Sequence, residues 1–404
     1  MHGKCLRAVA AAQGGLLGLA EPAFAQSWTR TSAPITNWTA VASSADGCKL
    51  VAVVGIDSSR GNPGPIYTSA DSGATWTMTS APLRGWSCVA SSADGTKLAA
   101  GIAAGPIYTS VDSGATWIEN DALWFDWSSI ASSADGTKLA ATAHTHAADP
   151  IETLNLSSNP GLTWVETSAP YENWTGIACS ADGSRLVAAA YTWGEPGITH
   201  SGSVWLSADS GDTWKIANVR LGDWVCVASS ADGMRLVAMG LGLAYASADG
   251  GATWTAANAP VKIWTSVASS ADGAQFVAVS DGIYISTNAG LNWTSAHAPA
   301  AKWTSVASSA DGTKLVAAAG GSYAIGGIYT WQSGPPPALA FTPSRDGAVI
   351  SWPASPAGFG LQQNSNLTST NWVDVTTIPV VTNEQNQVIE AFSDGARFYR
   401  LKRP

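Results

Sequence analysis

The residue types that could do chemistry gather in a few irregular stretches of this chain. Residues 143–152 read AHTHAADPIE, residues 190–200 read AYTWGEPGITH, and residues 119–126 read ENDALWFD. Together they hold His144, His146 and His200, the carboxylates Asp149 and Glu195, the phenol of Tyr191, and the indoles Trp124 and Trp193. Arg60 adds a cation in a further stretch, GIDSSRGN at 55–62. His144 and His146 lie two apart, which on a strand puts both side chains on one side, with Asp149 nearby to seed a metal site. Spacing fixes no third ligand, so the reading is surface polarity, with no metal and no cofactor expected. Asp149 and Glu195 offer an acid and a base for glycoside chemistry, but their separation cannot be read from sequence. No nucleophile elbow, zinc-protease motif or phosphate loop occurs.

What positions these stretches is a repeat. The pattern W-x-x-[VI]-A-[SC]-S-A-D-G starts at Trp38, Trp86, Trp127, Trp174, Trp224, Trp264 and Trp303, a spacing of about forty to fifty residues. Each unit parses into four short strands. The Trp-led strand turns through Asp-Gly, a strong hairpin signal, into a second strand of the Lys-Leu-Val-Ala type. An Ile-Tyr-Thr-Ser strand follows, and a fourth leads from S-x-D-x-G-x-T-W toward Ser-Ala-Pro, where Pro stops pairing.

The second signature carries a family resemblance. Ser69-Ala70-Asp71-Ser72-Gly73-Ala74-Thr75-Trp76 resembles an Asp-box, or BNR repeat, with further copies ending at Trp117, Trp214 and Trp254. Two more carry Asn for Asp, ending at Trp164 and Trp293. The resemblance covers roughly residues 27–331 and implies the β-propellers seen in sialidases, sortilin-type receptors, xyloglucan hydrolases and photosystem assembly factors. The seventh unit lacks a box, while Ser27-Trp28-Thr29-Arg30 looks like a fourth strand without a blade before it. The expectation is an all-β chain: a seven-bladed propeller over 26–333, closed by this N-terminal strand, which removes exposed sheet edges. A Pro-rich linker at 334–338 then leads to residues 339–404, which resemble a small fibronectin-like β-sandwich.

Fourteen of the twenty Trp recur in register and are expected between blades, whereas Trp124, Trp193 and Trp331 break the pattern. The repeated Asp residues are expected to cap their own turns. In a propeller of this strand order, the loops from second to third strand share a face with the connections between blades. Units three and four are neighbours, so their long loops should meet there. That cluster is the candidate site: Trp124, His144, His146, Asp149, Tyr191, Trp193, Glu195 and His200, with Arg60 beyond.

The N-terminus adds a compartment. Lys4 and Arg7, the apolar run 8–20 and Ala23-Phe24-Ala25 read as a secretory signal peptide over 1–25, cleaved after Ala25. Removing its charges takes the formal net charge from −9 to −10. An acidic chain with no basic stripe excludes nucleic acid as a partner, and no later apolar run is long enough for membrane insertion. A soluble monomer, extracellular or periplasmic, is expected. No two of Cys48, Cys88, Cys179 and Cys226 occupy equivalent positions in neighbouring repeats, and all four are expected to be free and buried rather than disulfide-bonded.

The expected function is a secreted binding module that recognises a glycan or a protein through blades three and four. One alternative is a polysaccharide hydrolase or lyase using Glu195, Asp149, Tyr191 or the histidines. Another is a cell-envelope assembly or scaffold factor. A sialidase is disfavoured: the Arg-Ile-Pro signature is missing, and Arg185 and Arg235 sit at the hairpin position of Lys97, away from the variable loops.

Overall fold

The computed structural model describes residues 28–56, 61–120, 124–144, 153–191, 202–321, 324–332, 339–344, 347–353, 360–365, 372–382, 385–390 and 397–402. It divides into two compact units, Ser27–Gln332 and a second containing Ser333–Pro404. Residues 1–25, expected to be a signal peptide, lie outside the described residues.

Among the described residues of the first unit, seven four-stranded antiparallel sheets follow one another along the chain. Each opens with one of the repeated Trp residues, by which it is named here. The Trp86 sheet is representative: Trp86–Ser91, Leu98–Ile102, Ile107–Ser110 and the two-residue strand Ile118–Glu119, in sequential order. The Trp303 sheet takes its outer strand from the other end of the chain. Thr29–Arg30 pairs antiparallel with Ile328–Gln332, in the register Thr29 to Thr330.

The Asp-Gly hairpins join the sheets into a circuit. The amide of Ala45 donates to the carbonyl of Ala93 at 2.7 Å, and Ala93 in turn donates to Ala134. The series continues through Ala181, Ala231, Ala271 and Ala310, and Ala310 donates back to Ala45. The glycine of each hairpin has positive φ, 66° at Gly47 and Gly95, which only glycine adopts without strain. It also lets the neighbour approach: a Cβ on Gly95 would stand 2.8 Å from Lys49 of the preceding sheet.

A second device seals the seams. Most first strands carry a bulge just after the Trp, where the register shifts between Trp38 and Ala40, for example. The bulged residue turns its hydroxyl into the seam. Thr39 Oγ1 donates to the carbonyl of Trp86 at 2.9 Å, Ser87 Oγ to Trp127 at 2.6 Å, and Ser128 Oγ to Trp174 at 2.8 Å. Thr175, Thr265 and Thr304 do the same toward Trp224, Trp303 and Trp38. The Trp224 sheet has Val225 at this place and no hydroxyl to offer.

The core lies between sheets. Val51 and Val53 of one sheet pack with Trp86, Leu98 and Tyr108 of the next. All seven opening Trp are fully buried, and truncating one to Ala is expected to cost about 3–5 kcal/mol. The closing Trp are less uniform: Trp28 and Trp293 are buried, but Trp76, Trp117, Trp164, Trp214 and Trp254 remain half-buried. Trp331, which breaks the sequence pattern, is core; it clusters with Trp28 and Trp303. The four described cysteines are free, yet only Cys88 and Cys226 are buried, with Cys48 and Cys179 half-buried.

The second unit contains a four-stranded sheet (Ala340–Ser344, Gly347–Pro353, Gln385–Glu390, Val380–Thr382) and a three-stranded one (Val373–Asp374, Gly360–Asn364, Phe398–Lys402). Ile350, Trp352 and Val388 of the first meet Leu361 of the second in one buried cluster. Val380–Thr382 is the edge strand of the first of these sheets.

Candidate functional site

The repeated acids are structural. In the turn Ser69–Trp76, Asp71 accepts hydrogen bonds from the Thr75 amide at 2.8 Å, the Thr75 hydroxyl at 2.6 Å and the Ser69 hydroxyl at 2.8 Å. These hold its carboxyl down at about 2, the Thr75 hydroxyl contributing most. Asp112, Asp209 and Asp249 repeat the arrangement and are likewise held at about 2. Asn159 keeps the turn by another route: its amide donates to the Thr163 hydroxyl at 2.8 Å while its oxygen accepts the Thr163 amide. In the first hairpins Asp94 and Asp135 accept from Ser92 and Ser133 and also fall to about 2. A carboxylate so occupied and so acidic has no proton to give at neutral pH.

The opposite face is built by the connections between sheets. Among the described residues, five of the segments leading into a new Trp pair with the second-to-third-strand loop of the sheet before it. Arg84 and Gly64 exchange backbone hydrogen bonds at 2.8 and 3.0 Å, Gly105 donates to Phe125 at 3.1 Å, and Gly242 donates to Lys262 at 2.8 Å. Variable loops and connections therefore share this face.

Three of the candidate residues fall within the described residues. Trp124 stands on the connection into the Trp127 sheet, 74% exposed. His144 ends the strand Leu139–His144 and pairs in register with Asp126. Tyr191 ends Leu186–Tyr191 in the following sheet and pairs with Asn173, the equivalent register. The backbones of His144 and Tyr191 thus occupy matching positions in adjacent sheets, on the face that carries Trp124. Arg60, His146, Asp149, Trp193, Glu195 and His200 lie outside the described residues. Among the described residues, no group of three His, Cys, Asp or Glu could hold a metal ion, and no helix is long and apolar enough to cross a membrane.

A feature of this face was missed from sequence. The residue three before the opening Trp is large and apolar in six of the seven sheets: Ile35, Leu83, Trp124, Tyr171, Leu221 and Val261. All six are exposed, from 51% at Leu83 to 84% at Val261. Single exposed apolar side chains are ordinary; here they recur at one register of the repeat, on one face. The signal was present: counting back from each Trp finds it.

No protein-family profile and no curated protein matches the sequence. Solved structures do. "YCF48 from Cyanidioschyzon merolae" superposes with a TM-score of 0.55 at 11% identity, covering 76% of this chain and 98% of that one. "YCF48 bound to D1 peptide" gives 0.54 at 13% identity, covering 76% and 97%. The fold is a β-propeller. At such identity the likeness speaks for fold alone, and the propeller's site must be argued from its own residues.

Proposed function

We propose that this chain is a secreted β-propeller of seven Asp-box blades, followed by a small fibronectin-like sandwich, and that it binds a segment of another protein on its connection face. The observation that carries this reading is the ring of exposed apolar residues, with Trp124 and Tyr171 on the blades that also bear the long loops. Aromatic side chains supply contact area at low entropic cost and are enriched where proteins meet. The peptide bound to a propeller of the same fold supports a polypeptide over a glycan. In this reading His144, Tyr191, Trp193, Glu195, His200, His146, Asp149 and Arg60 form the polar side of the surface. An assembly or scaffold role in the cell envelope is the biological setting it fits.

The test is parallel: wild type and a Trp124→Ala/Tyr171→Ala variant are applied to peptide and polysaccharide arrays. Retention on peptides that the variant loses supports the proposal. Retention on polysaccharides alone, or release of reducing ends from them, overturns it in favour of a glycan binder or hydrolase.

A further inference from the structure

The face of the propeller that carries the Ser-x-Asp turns is closed by side-chain bonds across six of its seven seams among the described residues. Lys49 Nζ donates to Ser113 Oγ, Lys138 to Ser210 and Lys314 to Ser72, each at 3.2 Å. Lys97, Arg235 and Gln275 occupy the same position and donate to the carbonyls of Asp135, Asp272 and Gly312. Beside several of them a second bond forms further out: Ser32, Ser80 and Ser168 donate to the carbonyls of Ala74, Ala115 and Asp212.

The seam between the Trp174 and Trp224 sheets has neither. Arg185 holds the Lys position, but the residue facing it is Gly250 where Ser72, Ser113 and Ser210 stand elsewhere. Asn218 replaces the outer Ser. No hydrogen bond from the Arg185 guanidinium or the Asn218 side chain to another described residue forms. The consequence is space. At the Lys314–Ser72 seam the equivalent hollow is about 40 Å³, whereas here it is about 460 Å³. Its floor is apolar, from Leu186, Leu206 and Leu236, and its polar edge carries Arg185, Lys215 and Asn218. Asp209 also borders it, but its oxygens are taken by Thr213 and Ser207.

We infer that this seam pocket binds a small organic carboxylate with an apolar body. A guanidinium with free donors and a neighbouring ammonium favour a carboxylate, which accepts from Arg in a bidentate fork. The volume suits a ligand of that size, and the leucine floor takes its hydrocarbon part. Free acids and the C-terminal residue of a peptide share this chemistry.

The experiment measures binding of phenylacetate, N-acetyl-L-leucine and phenylacetamide to the full chain by calorimetry. Phenylacetate stands for a free acid, N-acetyl-L-leucine for a peptide terminus, and phenylacetamide removes the charge. Saturable binding of at least one acid is expected, weakened at least about tenfold in the amide and in Arg185→Gln. Gly250→Ser restores the partner that the other seams have. Serine fits there, since Ser72, Ser113 and Ser210 have φ of 59°, 60° and 60° against 69° at Gly250. Its Cβ meets the tip of Arg185 at 3.1 Å, with Met234 at 3.5 Å and the Gly233 carbonyl at 3.6 Å in ordinary van der Waals contact. This variant is expected to keep the wild-type Tm and lose the acid. Absence of saturable binding to about 10 mM, equal binding of acid and amide, or full binding by Gly250→Ser overturns the inference.

Discussion

Thr39 Oγ1 lies 2.9 Å from the carbonyl oxygen of Trp86 in the next sheet, and this bond recurs at every seam but one. The exception is Val225, half-buried where its counterparts are Thr or Ser. Val225→Thr supplies the missing donor to the Trp264 carbonyl without changing side-chain shape. It is expected to raise stability by about 0.5–1.5 kcal/mol, the net worth of one hydrogen bond. Thr39→Val is expected to cost a similar amount. Thermal melting of both checks the pair; a lower Tm for Val225→Thr would show that the seam there does not accommodate a hydroxyl.

The acid limb of stability follows from the turn carboxylates. Asp71, Asp112, Asp209 and Asp249 are held at about 2, chiefly by the hydroxyls of Thr75, Thr116, Thr213 and Thr253. An unfolded Asp titrates near ~3.9. Because the folded value is depressed, the stabilisation is complete above about pH 4 and drains as pH falls toward about 2. Replacing all four by Asn, already present at Asn159 and Asn288, is expected to preserve the fold at pH 7 and flatten Tm against pH between about 4 and 2. An unchanged acid slope would contradict the assignment.

Burial pushes the Cys88 thiol up to about 11 and Cys179 to about 12, and raises Cys226 as well. Native protein treated with iodoacetamide at pH 8 is expected to leave the two buried thiols, Cys88 and Cys226, unmodified, and to label them once unfolded. Peptide masses read the result. Rapid native alkylation at Cys88 would show that the seam it occupies opens.

How much of this was legible in the sequence varies with the kind of interaction. Trp, Asp-Gly and S-x-D-x-G-x-T-W repeat in register because each makes the same local bonds in every sheet, so strands and turns could be read directly. Trp331 breaks the repeat pattern yet is core, because it packs with Trp303 of its own sheet and with Trp28, which the strand from the other end of the repeat region brings in. The bulge after six of the seven opening Trp is invisible in the sequence because it breaks the two-residue alternation on which strand reading depends. The exposed ring was overlooked for another reason. Trp124 is an off-pattern indole, whereas Ile35, Leu83 and Val261 are single apolar residues between strands, where neither strand nor helix period marks them. The candidate cluster was only partly placed: register sets His144 and Tyr191 side by side in sequence-adjacent sheets, and the remaining positions belong to the long loops.

Trp124 and Tyr171 are expected to separate binding from folding. At 74% and 68% exposure their truncation removes little buried area, so Tm should move by less than a Trp38→Ala change moves it. The double variant should melt within about 0.5 kcal/mol of wild type while losing its partner. A large loss of stability would mean these side chains pack against something in the free protein.

The most direct test of a protein-binding connection face is hydrogen exchange of the propeller with and without its tightest array peptide. Protection is predicted in the segments leading into Trp86, Trp127 and Trp174, with exchange unchanged in the turns Ser69–Trp76 and Ser207–Trp214. Protection confined to those turns, or spread evenly over every sheet, would contradict the account.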